Sequence, residues 1–260
     1  MSSVTVNNVR INYIEQGSGD EAIVFVHGMA GSSGNWRQAL ERLPKEYHAY
    51  ALDLRGHGQS EKPGSYQLAQ FAEDIYDFSR ELGIGRFTYV GHSMGGKIGY
   101  RFALDYPEVL KALVLVAPSM PPVILPPDQL AAMTDQVKSA FVSAEGAAVF
   151  LKQAANLHSE DILKEVVSDA IVAGPAVISE EFISFMSTDL EPQLGGIRVP
   201  TLILAGGKDT IPLDMQRRAA DGIKGCRFEE WQDNGHFIPQ ESPQKFVDLL
   251  TTFIKDVSAG

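Results

Sequence analysis

A serine stands between two glycines in the sequence VGHSMGG at residues 90–96. An apolar run at residues 87–90 precedes this motif, and a helix-like pattern at residues 97–104 follows it. Ser93 is therefore predicted to lie on a sharp strand-to-helix turn, where a strained backbone presents its hydroxyl group. The backbone N–H of Met94 would lie at the N-terminus of the helix, aimed at an oxyanion formed on Ser93. This pattern predicts a nucleophilic serine.

A serine hydroxyl needs a positioned general base. Among six histidines, His236 is the candidate, because it stands in a loop after the last predicted strand, at the same sheet edge as Ser93. His92 adjoins Ser93, and the alternation of side chains along a strand predicts that it points away from the nucleophile. The remaining histidines are assigned to loops, turns, or exposed and core positions: His27, His48, His57 and His158.

The base in turn needs a carboxylate that fixes its tautomer and stabilises the imidazolium. Asp209 follows directly after a buried apolar run, at the same predicted sheet edge. Its rivals are Asp214, which is predicted to lie in the next helix, and Asp233, which is predicted to lie in a turn. The chain order is therefore serine, aspartate, histidine, which differs from the two common protease orders.

Buried apolar runs alternate with helical patterns along most of the chain. Six such runs and an N-terminal hairpin that turns at Asn7-Asn8 predict an α/β fold, with a mostly parallel eight-stranded sheet and helices on both faces. Ligands bind such sheets at the carboxyl ends of the strands. The alternation stops after Ala117-Pro118, where four prolines precede a helical pattern over residues 128–191. We therefore expect a core of residues 1–118 and 197–260, with a helical cap inserted at residues 119–196.

Together these motifs resemble the α/β-hydrolase fold family over essentially the whole chain. The matching segments are His27-Gly28 after a buried strand, DLRGHGQS at 53–60, GHSMG at 91–95, GGKD at 206–209 with Pro212, and Gly235-His236. The resemblance implies a catalytic triad of Ser93, Asp209 and His236. It also implies a second oxyanion donor, the backbone N–H of Met29, beside that of Met94, whereas residues 53–60 are expected to be structural.

The identity of the nucleophile narrows the expected chemistry. Epoxide hydrolases and haloalkane dehalogenases of this family carry an aspartate where this chain has Ser93. The resemblance therefore implies acyl transfer through an ester intermediate, with water activated by His236. The first expectation is a carboxylesterase. The alternatives left open are carbon–carbon bond hydrolases, lactonases and cofactor-free perhydrolases, and a small-molecule receptor that keeps the triad with very slow turnover.

The charge of the predicted cap bears on the substrate. Residues 119–196 contain three lysines and eleven acidic residues, and the chain has no arginine between Arg101 and Arg198. A site that clamps a carboxylate or phosphate usually offers an arginine, so we expect a small to medium, neutral and mostly apolar substrate. This weighs against the carbon–carbon bond hydrolases, which act on anions and generally carry a cap arginine and a tryptophan where this chain has Phe237. The candidate pocket residues are His92, Met120, Phe141, Phe150, Phe182, Phe185 and Phe237, with Ile124 and Met186 as further inner-face candidates.

Composition limits the other classes of function. The formal net charge is −11 and the sequence pI is about 5.0, so no nucleic-acid partner is expected. The N-terminus has no basic and apolar signal pattern, and no apolar run approaches membrane-spanning length. The single cysteine allows no intrachain disulfide. We expect a cytoplasmic monomer or homodimer that binds a small-molecule substrate and uses no cofactor or metal.

Overall fold

The computed structural model describes residues 2–119 and 125–259. An eight-stranded sheet runs through the molecule in the order β1-β2-β4-β3-β5-β6-β7-β8. The two pairs β1–β2 and β2–β4 are antiparallel, and all other neighbouring strands are parallel. The strands are β1 Ser2–Val6, β2 Val9–Gly17, β3 Glu21–Val26, β4 Tyr47–Leu52, β5 Phe87–His92, β6 Leu110–Val116, β7 Thr201–Gly206 and β8 Arg227–Trp231. The predicted α/β class and the predicted mostly parallel sheet are confirmed.

Helices cover both faces of this sheet because its central strands are apolar on both sides. The core helices are α1 Arg37–Arg42, α2 Leu68–Glu81, α3 Met94–Asp105, α8 Leu213–Gly222, α9 Ile238–Glu241 and α10 Pro243–Ala259, numbered in chain order with those named below. Residues of α2, α3 and α8 pack into the hydrophobic cluster on one face, and residues of α1 and α10 pack into the cluster on the other.

Four further helices lie between β6 and β7. They are α4 Pro127–Ala140, α5 Ala144–Ala154, α6 Glu160–Ala173 and α7 Pro175–Ser187, and we call them the inserted helices. Within this group, α4 packs against α7 and α5 packs against α6. The predicted pocket residue Met120 and the further candidate Ile124 lie outside the described residues.

Local backbone geometry explains one element that agrees with the sequence prediction and one that differs from it. Asn7 and Asn8 both adopt positive φ angles, 49° and 60°, as the tight turn of the predicted hairpin requires. Helix α3 begins at Met94, three residues before the predicted pattern, because two glycines in its first turn hide the apolar periodicity.

Within residues 2–119 and 125–259, no helix combines the length and apolar character needed to cross a lipid bilayer.

Candidate active site

Ser93 occupies the turn between β5 and α3 in a strained conformation, with φ 54° and ψ −113°. A positive φ costs a non-glycine residue about 1–3 kcal/mol and persists only where surrounding contacts impose it. Those contacts are present here. The Ser93 N–H donates to the Val116 carbonyl oxygen at 2.9 Å, and the Ser93 carbonyl oxygen accepts the N–H groups of Gly96 and Lys97 at 2.9 and 3.2 Å.

The glycines on either side of Ser93 allow a close backbone approach that no side chain would permit. A Cβ atom on Gly91 would lie 2.2 Å from the Gly95 carbonyl oxygen. A Cβ atom on Gly95 would lie 2.3 Å from the carbonyl oxygen of Val26, the last residue of β3. Both distances are far inside van der Waals contact, so the glycines of the motif are required by packing against backbone atoms.

Two loops at the carboxyl ends of β7 and β8 bring Asp209 and His236 together. Nδ1 of His236 lies 2.9 Å from Oδ2 and 3.1 Å from Oδ1 of Asp209. The Asp209 side chain is fully buried, and its Oδ1 also accepts the Ile211 N–H at 3.0 Å. An ionised carboxylate accepts from both donors, so the proton of the neutral ring stays on Nδ1 and leaves Nε2 as a proton acceptor.

The pKa values of this pair move in opposite directions. Burial lowers the pKa of His236, but the charge and hydrogen bond of Asp209 outweigh this and raise it above its ordinary 6.5. Burial raises the pKa of Asp209, but His236 and the Ile211 N–H lower it below its ordinary 3.8. Such opposed shifts suit a base held by a permanently ionised partner.

The two rival aspartates lie elsewhere. Asp214 is in helix α8, is largely exposed and pairs with Arg218 at 3.1 Å. Asp233 is fully exposed and lies 3.6 Å from the Lys208 amine. Of the three aspartates weighed in the sequence, only Asp209 contacts His236.

His92 lies against the candidate base and lines the same cavity as Ser93, so the prediction that it points away from the nucleophile is wrong. Its ring centroid is 4.7 Å from that of His236, and its Nε2–H donates to the His236 carbonyl oxygen at 2.8 Å. Burial and the neighbouring His236 lower the pKa of His92 to about 3, so its ring is neutral. The strained turn at Ser93 interrupts the strand alternation on which the prediction relied.

Two residues whose backbone N–H groups were predicted as oxyanion donors, Met29 and Met94, line the cavity beside Ser93. Met94 is the first residue of α3, where an N–H has no partner inside the helix. Met29 lies in a loop after β3 that is closed by a Gly31 N–H to Gly28 carbonyl hydrogen bond of 3.2 Å. Neither N–H donates to an acceptor within residues 2–119 and 125–259, and both residues line the cavity described next.

A cavity of about 390 Å³ lies between Ser93 and the inserted helices, which is within the range of small-molecule sites. Ser93 and His236 both line it. Five of the predicted pocket residues also line it, namely His92, Phe150, Phe182, Phe185 and Phe237, as does Met186. Its walls are mainly apolar, and its described lining contains no lysine, arginine, aspartate or glutamate.

Phe141 corrects one pocket prediction. Its side chain is buried and packs against Phe150, with ring centroids 5.1 Å apart, and it does not line the cavity. Phe141 therefore lies behind Phe150, which forms part of the cavity wall, and supports that wall by packing against it. Other lining residues were not predicted from the sequence, among them Asn35, Ser119, Met133, Val166 and Ile211. Their types carry no chemical signal, and only the packing of distant segments reveals them.

Within the described ranges, no three His, Cys, Asp or Glu side chains are arranged to hold a metal ion. The described site offers hydroxyl, imidazole, carboxylate and backbone N–H groups. An imidazole oriented by a carboxylate can take a proton from a hydroxyl group, and two N–H donors can stabilise the negative charge that follows.

Known proteins share both sequence and architecture with this chain. A protein of Bacillus subtilis strain 168 described as an uncharacterized hydrolase is 29% identical, over 96% of each chain. The crystal structure of a hydrolase from Pseudomonas aeruginosa superposes with a TM-score of 0.85 at 26% identity, over 97% of each chain. An esterase from Exiguobacterium antarcticum superposes with a TM-score of 0.87 at 24% identity, over 96% of this chain and 97% of that one.

The model of one protein family covers most of the chain. Residues 21–243 match the family described as the alpha/beta hydrolase fold. That range includes β3, both loops of the His236–Asp209 pair and the turn at Ser93. The chain belongs to the α/β-hydrolase fold family.

Proposed function

We propose that this protein is a serine hydrolase that cleaves small to medium, neutral and mostly apolar carboxylic esters. One observation carries the proposal: Ser93 and His236 line the same apolar cavity, which has no charged side chain of the lysine, arginine, aspartate or glutamate type in its described lining. A site of this kind excludes water from a substrate and offers no counter-ion to a charged one.

The reaction would proceed in two halves through an acyl-enzyme. The Ser93 Oγ attacks the ester carbonyl carbon while His236 Nε2 takes the hydroxyl proton, and the N–H groups of Met29 and Met94 bind the oxyanion. The tetrahedral intermediate collapses, and His236 returns the proton to the departing alcohol. His236 then removes a proton from water, which attacks the acyl carbon. The second collapse releases the carboxylic acid and restores the Ser93 hydroxyl.

We further propose that the inserted helices form a cap over this site. Phe150 of α5 and Phe182 and Phe185 of α7 supply cavity wall opposite the turn at Ser93. The core would then comprise residues 1–118 and 197–260, with the cap at residues 119–196. In this arrangement the core supplies the reacting groups, and the cap sets the size and polarity of the substrate.

The relatives support hydrolysis in general. The Bacillus subtilis protein and the Pseudomonas aeruginosa structure are both described as hydrolases, and each matches this chain over nearly its full length. Against the carbon–carbon bond hydrolase alternative stands the absence of lysine and arginine from the described cavity lining, because an anionic substrate would be buried there without a counter-charge. Lactones are cyclic esters, so a lactonase would use the same groups.

The proposal is tested by hydrolysis of p-nitrophenyl esters from acetate to decanoate, with labelling by a fluorophosphonate. We expect turnover that peaks at short or medium chain length and disappears in Ser93→Ala, together with the label. Ser168→Ala is the matched control, because it removes an exposed hydroxyl on α6. Labelling that persists in Ser93→Ala would reject Ser93, and a burst without turnover would favour the receptor alternative.

A further inference from the structure

The loop that carries Met29 is held by a compact set of its own hydrogen bonds. Asn35 Oδ1 accepts the Ser32 N–H, and Ser32 Oγ accepts the Gly34 N–H, each at 3.1 Å. A Cβ atom on Gly31 would lie 2.3 Å from Asn35 Oδ1, so the Asn35 amide is packed directly against the backbone two residues beyond Met29. The path of residues 28–36, which we call the 28–36 loop, therefore depends on where Asn35 and Ser32 are held.

The Ser32 hydroxyl and the Asn35 amide also act as donors, and one carboxylate oxygen of Asp169 accepts a hydrogen bond from each. The Ser32 hydroxyl donates to Asp169 Oδ2 at 2.9 Å, and Asn35 Nδ2 donates to the same oxygen at 3.1 Å. Asn35 Nδ2 also lies 3.4 Å from Glu165 Oε1. Asp169 and Glu165 both belong to α6, more than 125 residues further along the chain. An inserted helix thus completes the hydrogen bonding of the 28–36 loop.

The exposure of Asp169 suits a role in holding the loop. Its side chain is half-buried between α6 and the loop, and burial raises its pKa to about 6 although the Ser32 and Asn35 hydrogen bonds lower it. It is therefore ionised at neutral pH, and hydrogen bonds to an ionised acceptor are the stronger kind. These bonds restrain the loop at Ser32 and Asn35, and the Ser33 N–H is held separately by Asp53 Oδ1 at 2.7 Å.

The first residues of the 28–36 loop lie in the candidate active site. Met29 lines the cavity, and the next residue, Ala30, adopts a strained positive φ of 61°. Asn35 itself lines the cavity. A shift of the Asn35 amide would move Gly31 through their close contact, and the Met29 N–H would move with it.

We propose that Asp169 is a positioning residue for the oxyanion donor on Met29, coupling the inserted helices to the stabilisation of the tetrahedral intermediate. The inference rests on the proposed function, because the Met29 N–H matters only if an oxyanion forms beside Ser93. Asp169 touches neither substrate nor reacting atoms in this scheme. It holds Ser32 and Asn35, and they hold the loop.

The test compares Asp169→Ala and Asp169→Asn with wild type on a p-nitrophenyl butyrate substrate, with active sites counted by fluorophosphonate titration. Loss of one oxyanion donor lowers kcat by about 10²–10³-fold, so a displaced donor should lower it by about tenfold to a hundredfold in Asp169→Ala. KM should change little, because the donor acts on the intermediate. Asp169→Asn should keep part of the rate, because its Oδ1 can still accept from Ser32 and Asn35.

A trifluoromethyl ketone supplies the readout that a merely structural role would leave unchanged. The Ser93 hydroxyl adds to such a ketone to give a hemiketal whose oxyanion mimics the intermediate. Its Ki should rise across the variants by the factor by which kcat/KM falls. Asp161→Asn is the matched control, because it removes an exposed carboxylate from the same helix. Unchanged kcat and Ki in Asp169→Ala, or a change confined to KM, would overturn the inference.

A double-mutant cycle keeps the proposal testable if Asp169→Ala does not fold. Ser32→Ala removes the partner hydroxyl, and Asp169→Asn weakens the acceptor. If the two act through their contact, the double variant should lose much less than the product of the single losses. Losses that multiply independently would overturn the proposal. Wild-type protein that neither hydrolyses esters nor takes the fluorophosphonate label would instead reject the proposed function itself.

Discussion

Substitution of Asp209 by asparagine tests the assignment of the candidate base and its partner. In the structure, Asp209 Oδ1 accepts the Ile211 N–H at 3.0 Å, and Oδ2 lies 2.9 Å from Nδ1 of His236. An asparagine has one acceptor oxygen and one donor nitrogen at these two positions. Its oxygen must face the Ile211 N–H, which can only donate. The amide nitrogen then faces His236 Nδ1 as a donor, and Nδ1 has to act as the acceptor.

This exchange places the imidazole proton on Nε2, the atom that accepts the Ser93 proton in the proposed mechanism. The variant would therefore hold its base in the unreactive tautomer, with the geometry of the site preserved. The same change in serine proteases lowers kcat by about 10⁴-fold. At 1.36 kcal/mol for each factor of ten, that corresponds to about 5.5 kcal/mol of lost transition-state stabilisation. We expect a loss of this order for Asp209→Asn.

The assay is the rate of acylation, followed as the p-nitrophenol burst and as the second-order rate of fluorophosphonate labelling. Both rates should fall together, with the thermal transition of the variant retained. The chain supplies two matched controls, Asp214→Asn and Asp233→Asn, because both aspartates are exposed and contact neither Ser93 nor His236. A rate for Asp209→Asn within tenfold of wild type, or an equal loss in a control, would refute the tautomer argument.

Three further predictions follow from the geometry. The value of kcat/KM should fall with decreasing pH through a pKa above 6.5, because His236 must be neutral to act and the carboxylate beside it raises its pKa despite burial; a pH–rate profile flat to pH 5 would contradict this. Gly95→Ala should lower the free energy of unfolding by about 1–3 kcal/mol or more, because the added Cβ would lie 2.3 Å from the Val26 carbonyl oxygen. Gly85→Ala, whose Cβ would meet no atom within 4 Å, should be nearly neutral in the same denaturation experiment. Glu181→Ala should cost about 3–5 kcal/mol in chemical denaturation, because it removes the carboxylate that lies 3.3 Å from Nε2 of the buried His57; a loss below 1 kcal/mol would mean that this contact does not stabilise the fold.

Residues whose placement follows from local backbone geometry could be predicted from the sequence. Ser93 is such a residue, because the strand, the two glycines and the helix that impose its conformation are its own neighbours in the chain. Asp209 and His236 follow from a rule of topology, since parallel strands end at one edge of the sheet and both residues come just after such strands. The sequence therefore predicted that these two residues lie at the same sheet edge, and the structure adds the distances between them.

Residues whose role depends on how distant segments pack could not be predicted. His92 was misjudged because strand alternation fails at the strained turn, and its hydrogen bond reaches His236, 144 residues away. Phe141 and Phe150 are both phenylalanines of the inserted segment, at the end of α4 and within α5, yet only Phe150 reaches the cavity. Nothing in the local pattern separates the two, because the difference is one layer of packing between α4 and α5.

The acidic residues of the inserted helices show how a negatively charged segment can cover an apolar site. In the sequence, each acid alone fits a solvated outer face, and Asp161 and Glu160 do lie there. Asp169 and Glu181 instead face the core, at Ser32 and His57 in the loops that follow β3 and β4. Asp169 accepts a hydrogen bond from Ser32 at 2.9 Å, Glu181 Oε2 lies 3.3 Å from His57 Nε2, and both carboxylates stay outside the cavity lining. Charged contacts at the edge can therefore seat the inserted helices in one orientation, and the wall between those contacts stays apolar. This division predicts that substitutions at the edge change rate and stability, whereas substitutions in the wall change which substrates are accepted.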